Sequence, residues 1–183
     1  MKIVDITQEV FSCQVFPGNP APAYERIKDM GKGDICTVTA FSMCAHNGTH
    51  VDAPAHFIAD GKTVDQMDLS DLVGPCVVLD EEDWVNRIPE GCRRIVLKTW
   101  KELTLEEARM VLEKGVRLVA LQNQRIGDTE VHQLVLGAGL VPLEGVRVDH
   151  VPAGPAFLAA QPLNLAGAEG APCRALLLYE DEE

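Results

Sequence analysis

Three of the five histidines of this 183-residue chain lie within the eleven residues from His46 to His56, and an aspartate lies between them. The four candidates are His46, His50, Asp52 and His56. Imidazole and carboxylate groups suit zinc, and also manganese or iron when oxygen donors are added. We therefore interpret the segment as part of a metal site. The alternative is a proline- and glycine-rich loop whose histidines are ordinary surface or core residues.

The four candidates all carry even numbers, so an extended backbone would project them to one side. A straight strand would nevertheless separate His46 from Asp52 by roughly 20 Å, which is too far for the two to share an ion. We therefore expect the chain to bend at Gly48, the residue with the greatest backbone freedom. Pro54 argues against a regular helix through the segment.

Short strands and two helices must position this segment. Runs rich in Val, Ile and Leu predict strands at Lys2 to Ile6, Cys36 to Met43, Cys76 to Leu79, Arg94 to Leu97, Val116 to Leu121 and Ala175 to Tyr179. One helix is predicted from the capping box at Thr104 to Gly115, with the apolar stripe Leu105, Ala108, Val111 and Leu112. A second begins near Asp128 or Thr129 and ends at Gly137 and Gly139. These elements predict an α/β or α+β domain with a mixed sheet.

The composition limits the class of protein. The chain is 46% hydrophobic and long enough for one core, so we predict a single domain over residues 1–183. A net charge of −12 repels phosphate backbones and anionic lipids, so neither nucleic acid nor a membrane is an expected partner. The start lacks a signal-peptide pattern, and no window approaches the roughly 20 apolar residues that span a bilayer. We expect the acidic tail, Glu180 to Glu183, to be solvated.

Six scattered cysteines show no close pairing of the kind found in zinc knuckles or redox motifs. They are Cys13, Cys36, Cys44, Cys76, Cys92 and Cys173. Because disulfides mark oxidising compartments, we expect reduced thiols and a cytoplasmic location.

His46 through His56 also match, at every specified position, the signature His-x-Gly-Thr-His-x-Asp-x-Pro-x-His. On that signature the chain resembles the cyclase family of metal-dependent hydrolases, which includes bacterial kynurenine formamidase and isatin hydrolase. The resemblance extends to Asp5-Ile6-Thr7, Phe16-Pro17-Gly18-Asn19, Pro162 to Leu165 and Gly170 to Arg174, in the order of the family. It covers most of the chain and implies the swivelling β/β/α fold of that family.

The resemblance implies metal-binding roles for five residues. His46, His50 and Asp52 would bind one ion, and Asp52 and Glu144 would bridge to a second ion held also by His132. In the family a helix histidine and a glutamate twelve residues later complete the site, and His132 and Glu144 have that spacing. Glu144 is also a reasonable ligand candidate without the resemblance. It ends an apolar run, and a charge at that position is expected at a strand tip near a site. The implied cofactor is Zn²⁺, as one or two ions, with Mn²⁺ possible.

The implied reaction is hydrolysis of a carbon–nitrogen amide bond. A metal-bound water, its pKa lowered from roughly 16 to about 7, would attack the carbonyl carbon as hydroxide. His56 would transfer protons, because an imidazole titrates near working pH. The favoured substrate is the aryl formamide N-formylkynurenine, which yields kynurenine and formate in tryptophan catabolism. The resemblance also implies a homo-oligomer, a dimer or tetramer. His150 has no counterpart and is expected to be a surface residue.

The substrate pocket is the least defined part of the site. Phe16 matches an aromatic residue of the formamidases and is expected to bind substrate, but Asn19 replaces their usual aspartate. A cyclic-amide or lactone hydrolase of the isatin hydrolase type therefore stays open. A non-catalytic metal-binding protein also stays open, although it would have no need of His56. Three further polar residues line either a different pocket or an ordinary strand-to-helix loop: Gln122, Gln124 and Arg125.

Overall fold

The apolar runs form the strands of a mixed sheet in the computed structural model, which describes residues 1–80 and 83–180. The strands are β1 (Lys2–Asp5), β2 (Ala23–Lys28), β3 (Val38–Ser42), β4 (His50–Asp52), β5 (Val73–Leu79), β6 (Arg94–Leu97), β7 (Leu118–Leu121), β8 (Val141–Glu144), β9 (Gly154–Ala159), β10 (Gly170–Pro172) and β11 (Leu176–Tyr179). The helices are α1 (Leu69–Leu72), α2 (Leu105–Glu113) and α3 (Thr129–Gly137). The main sheet has the order β1-β11-β9-β5-β6-β7-β8-β4-β10, while β2 and β3 form a separate two-stranded sheet. A mixed sheet with helices confirms the predicted fold class.

The central strands β5 to β8 run parallel, and β6, β7 and β8 are buried on both faces. Ile95 and Leu97 face a core cluster that also contains Ala108 of α2 and Val135 of α3. Val96 points the other way, into the second main cluster. Strands covered on both sides have near-continuous apolar sequences, which is why β6 and β7 were predictable from composition.

Both longer helices begin at the predicted residues. The Thr104 hydroxyl accepts from the Glu107 amide, and the Glu107 carboxylate accepts from the Thr104 amide, so the capping box is confirmed. Asp128 caps α3 by accepting a hydrogen bond from the Val131 amide. Each cap satisfies amide groups that have no partner within the first turn.

The two ends of the main sheet are joined by residues 173–175. The Cys173 amide donates to the Thr49 carbonyl at 3.1 Å, and the Ile6 amide donates to the Ala175 carbonyl at 3.0 Å. Because β10 pairs with β4 and β11 pairs with β1, this short link brings opposite edges of the sheet together. The sheet therefore curls around its inner core.

The hairpin of β2 and β3 extends away from that core. We call residues 23–42 the arm; every residue of its two strands is exposed. Phe11 contacts Tyr24 and Phe41, with ring centroids 4.8 Å and 6.3 Å apart. This aromatic contact joins the base of the arm to the N-terminal segment.

All six predicted strands are present, with bounds shifted by no more than three residues. The prediction missed β2, β9, the three-residue strands β4 and β10, and the short helix α1, and it indicated β8 only as the apolar run that ends at Glu144. Strand β9 opens with Gly154-Pro155, and β2 mixes charged and apolar residues, so neither resembles a typical strand. Asp181, Glu182 and Glu183 of the predicted solvated tail lie outside the described residues. Within the described chain, no helix has the length and apolar character needed to cross a bilayer.

Candidate metal centre

Strand pairing brings one of the candidate histidines against Glu144. In the antiparallel pair β4–β8, His50 lies directly opposite Glu144, the last residue of β8. Asp52 follows two residues after His50 and therefore projects from the same face of β4. All three side chains are at most 2% exposed. The expectation that Glu144 lies at a strand tip is confirmed by its position at the end of β8.

A turn at Gly48 brings His46 to this group. Gly48 has a positive φ of 66°, a left-handed conformation that L side chains rarely adopt. A Cβ atom on Gly48 would lie 2.8 Å from the Cβ of Cys13. The expected bend is therefore confirmed, and glycine is required for both backbone conformation and space.

Helix α3 brings His132 from the opposite side. His132 is in the first turn of α3 and is buried. The segment before α3 also holds Glu144, because the Ile126 amide donates to Glu144 Oε1 at 2.6 Å.

The five predicted ligands converge into two groups that share Asp52. Asp52 Oδ1 is 2.9 Å from His46 Nδ1 and 3.4 Å from His50 Nε2. Asp52 Oδ2 is 3.8 Å from His132 Nε2. Glu144 spans the same two sides, with Oε2 at 3.4 Å from His50 Nε2 and Oε1 at 3.5 Å from His132 Nε2. The two carboxylates therefore lie between the imidazoles of the two groups.

Backbone carbonyls hold the outer nitrogens of two of these imidazoles. His50 Nδ1 lies 3.0 Å from the Gly48 carbonyl, and His132 Nδ1 lies 2.9 Å from the Asp128 carbonyl. A carbonyl can only accept, so each Nδ1 carries a proton, and each Nε2 is the nitrogen that faces the carboxylates. Outer acceptors of this kind accompany most metal-ligating histidines.

The buried carboxylates change the pKa values of the imidazoles around them. Burial alone would lower the pKa of His50, but its hydrogen bonds to Asp52 and Glu144 prevail and raise that pKa to about 10. Burial likewise opposes the rise in the pKa of His132, which the contact with Glu144 produces. The pKa of Asp52 is held well below its usual range, because its contacts with His46 and His50 outweigh burial. The cluster thus stabilises positive charge placed between its two carboxylates.

A divalent cation fits this arrangement. The buried Asp52 Oδ2 has no hydrogen-bond partner, although a buried carboxylate oxygen normally has one. The ligating atoms of each group lie within 4.8 Å of one another, and they are the nitrogen and oxygen donors that zinc and manganese accept. A cation would satisfy the orphaned oxygen and neutralise the buried negative charge.

His56 lies beside the cluster but outside both groups. Its half-buried ring stacks on His46 with centroids 4.0 Å apart and contacts Phe57 edge-on at 4.6 Å. Burial lowers the pKa of His56, and the neighbouring imidazoles of His46 and His132 lower it further against the pull of Asp52 and Glu144. An imidazole that is neutral near pH 7 can accept a proton.

None of the residues of the expected substrate pocket belongs to the two ligand groups. Phe16 is partly exposed, and its described contact is with Arg125, whose guanidinium carbon lies 5.9 Å from the ring centroid. Arg125 also forms an ion pair with Glu102. Gln122 is buried and donates to Asp149, so it supports the loop, whereas Gln124 donates to the Gly48 carbonyl at 2.9 Å. His150 is exposed, as expected.

A carboxylate that contacts one candidate ligand was not predicted from the sequence. Glu169 Oε1 lies 3.1 Å from His46 Nε2. The available signal was its position immediately before the Gly170 to Arg174 block, which forms strand β10 beside β4.

Comparisons with known proteins agree with this fold. A family described as putative cyclase matches residues 4–118. The kynurenine formamidase of Sphingopyxis alaskensis is 30% identical, with 96% of this chain and 97% of that protein covered. The Bacillus cereus kynurenine formamidase is also 30% identical, covering 95% and 96% respectively.

Solved structures give the same picture. A potential metal-dependent hydrolase with cyclase activity is 28% identical over 99% of both chains, with a TM-score of 0.81. Isatin hydrolase A from Ralstonia solanacearum is 24% identical, and the match covers 98% of this chain and 92% of that chain with a TM-score of 0.82. At this identity the match shows a similar fold. The match over most of the chain, in sequence and in structure, shows that this protein belongs to the putative cyclase family.

Proposed function

We propose that this protein is a metal-dependent amidohydrolase that cleaves aryl formamides, with N-formylkynurenine as its substrate and kynurenine and formate as products. The observation that carries the proposal is the convergence of three histidines and two carboxylates from β4, α3, β8 and the Gly48 turn in one buried cluster. Full-length relatives named kynurenine formamidase support the choice of substrate.

The proposed ligands of the first ion are His46, His50 and Asp52, and those of the second are Asp52, His132 and Glu144. The division follows the two groups, each of which offers three donor atoms. We propose Zn²⁺ as the cofactor, with Mn²⁺ as the alternative, because imidazole with carboxylate suits both. When bound, such an ion lowers the pKa of a coordinated water and polarises a substrate carbonyl.

The proposed role of His56 is proton transfer. Because its pKa is lowered, the ring is neutral near pH 7 and can take a proton from the attacking water. The same proton can then be delivered to the departing nitrogen, which turns the leaving group into a neutral amine. Stacking on His46 and contact with Phe57 hold the ring beside the cluster during both steps.

The test of the function is a substrate panel. Purified protein is loaded with Zn²⁺ or Mn²⁺ and supplied with N-formylkynurenine, isatin and simple lactones, with metal content measured in parallel. Faster turnover of N-formylkynurenine than of isatin or the lactones supports the proposal. Phe16 is the proposed contact for that substrate. Preference for isatin or a lactone would assign the enzyme to that hydrolase type instead. Bound metal without turnover of any substrate would identify a structural ion.

We also propose that the chain forms a homo-oligomer in which the arm contacts a second copy. The arm exposes Tyr24, Ile27, Met30 and Phe41, each more than half exposed, and Ile35 at 93%. An isolated two-stranded sheet is marginally stable in water, and contiguous exposed apolar surface usually marks an interface. Light scattering coupled to size exclusion measures the mass, and a 19.9 kDa species at working concentration would reject this proposal.

Two further properties complete the proposal. We propose that residues 1–183 act as one domain, which pairing of the N-terminal β1 with the C-terminal β11 supports. A cytoplasmic location is supported by six cysteines present as free thiols. Limited proteolysis and cell fractionation test these two statements.

A further inference from the structure

Glu169 has a fixed place beside one of the proposed metal ligands. Its backbone carbonyl accepts from the Ala53 amide at 2.8 Å, which anchors Glu169 next to β4. The following Gly170 lies opposite Asp52, and a Cβ atom there would lie 2.5 Å from His46 Cε1. Glycine at position 170 therefore leaves room for the His46 ring, whose Nε2 then lies 3.1 Å from Glu169 Oε1.

The ring of His46 lies between two carboxylates, and each of its nitrogens faces one of them. The arrangement therefore raises the question of which nitrogen carries the proton. Nδ1 is 2.9 Å from Asp52 Oδ1, and Nε2 is 3.1 Å from Glu169 Oε1. A neutral imidazole carries one proton. If the proton lay on Nδ1, it would be donated to Asp52, and that nitrogen would have no lone pair for a cation. Binding through Nδ1 requires the proton on Nε2, where only an outer acceptor holds it.

The other two proposed histidine ligands do not face this choice. For His50 and His132 the outer nitrogen is Nδ1, and a backbone carbonyl accepts its proton. Among the described histidines of the cluster, only His46 has a side chain rather than a backbone carbonyl beside its outer nitrogen. That side chain comes from a segment 123 residues away and is about half exposed, at 46%.

We propose that Glu169 is a positioning residue for the cation site: it accepts the Nε2 proton of His46 and so directs the Nδ1 lone pair of that ring toward the shared carboxylate Asp52. The inference rests on the metal site of the proposed function but not on its substrate. A carboxylate acceptor also makes the imidazole more basic and a better ligand, and removal of such outer partners typically weakens metal binding by roughly 10- to 100-fold. Because Glu169 is half exposed, its replacement leaves no buried cavity.

The experiment compares cation binding by wild type, Glu169→Gln and Glu169→Ala. The matched control is Glu113→Gln, at an exposed position of α2. Affinity for Co²⁺ is followed by its visible absorption, without substrate. Measurement at high salt screens the general attraction of the acidic protein for cations. The affinity order expected is wild type, then Gln, whose amide oxygen still accepts, then Ala, weaker by roughly 10- to 100-fold. Glu113→Gln should bind as wild type does.

An NMR measurement distinguishes a role of Glu169 in positioning the His46 ring from a role in stabilising the fold alone. In the Co²⁺ protein, the N–H proton of His46 should give a shifted NMR signal that exchanges slowly in wild type and rapidly in Glu169→Ala. Unchanged Co²⁺ affinity and unchanged exchange, even with a lower melting temperature, would overturn the inference. Equal weakening by Gln and Ala would also overturn it, because loss of charge would then be the cause.

Failure of the proposed function gives a different result. A wild-type protein that binds Co²⁺ with the expected order of variants, yet hydrolyses no amide, would leave the role of Glu169 intact and reject the amidohydrolase. Wild-type protein that binds no divalent cation would overturn both.

Discussion

Most proteins bury apolar side chains and expose charged ones. The metal cluster departs from this rule by burying charged groups, and the arm departs from it by exposing apolar side chains. The cluster contains two buried carboxylates, two buried imidazoles and the partly buried His46, with Asp52 and His50 each 1% exposed. The arm exposes apolar side chains, of which Ile35 is 93% exposed. Buried charges are normally paired or bound to metal, and large exposed apolar patches normally contact a partner. The proposed cation would offset the buried charge of the cluster, and the proposed second chain would cover the apolar surface of the arm.

The largest effect is expected from Asp52→Asn, which removes charge from the residue shared by both groups. An amide oxygen is a poor substitute for a bridging carboxylate, so bound metal should fall sharply. Activity should drop to background, beyond the roughly 10²- to 10⁴-fold that a general acid–base residue supplies. Metal content and turnover check this, with the exposed Asp60→Asn as control. Near-normal metal content would show that Asp52 is not a bridging ligand.

The next largest effect is expected from His56→Ala. This residue touches His46 but belongs to neither group, so metal content should stay close to that of wild type. Turnover should fall by roughly 10²- to 10⁴-fold, because proton transfer would then depend on water. The matched control is His150→Ala, at an exposed histidine. Undiminished turnover in the metal-loaded His56 variant would contradict the proton-transfer role.

Two glycine substitutions contrast the packing of the cluster with that of the arm. Gly48→Ala combines a positive φ with a Cβ only 2.8 Å from Cys13, whereas Gly33→Ala has a positive φ with open space around it. The left-handed conformation costs roughly 1–2 kcal/mol in both, and overpacking adds about 1–3 kcal/mol at Gly48 alone. Denaturant unfolding of the two variants measures the difference. Equal losses would mean that the Gly48 turn has space to relax.

The smallest effect on the folding of the single chain is expected from Ile35→Ser in the arm. Because Ile35 is almost fully exposed, the free energy of unfolding of the isolated chain should change by less than about 0.5 kcal/mol. The average mass measured by light scattering at low concentration should nevertheless fall toward that of one chain. An unchanged oligomer would place the interface elsewhere. Glu25→Gln, on the exposed strand β2 of the same arm, serves as a control.

The sequence predicted the elements in which local rules agree with tertiary structure. Thr104 and Asp128 cap their helices, and β6 is apolar on both faces, so caps and composition were sufficient. Strands such as β2 and β9 carry Pro, Gly or charges at positions that only their neighbours make tolerable. Their pairing is nonlocal and leaves little trace in a single segment.

The candidate site was predictable where its residues are close in sequence. The segment from His46 to Asp52 indicated a bend at Gly48, and the turn has that form. The convergence of His132 and Glu144 with this segment depends on how β4 pairs with β8, which spacing alone does not reveal. Glu169 was missed for the same reason, because its contact with His46 follows from the register of β10 against β4. Assigning Phe16 to the substrate remains a prediction.

The central claim is that cations bind between the shared carboxylate and the imidazoles around it. Crystals grown with zinc and measured at the zinc absorption edge test it most directly, because anomalous scattering locates the metal without reference to the protein chemistry. One peak is expected within bonding distance of Nδ1 of His46, Nε2 of His50 and Asp52, and a second is expected beside His132 and Glu144. A zinc-containing crystal with no anomalous peak near Asp52 would contradict it.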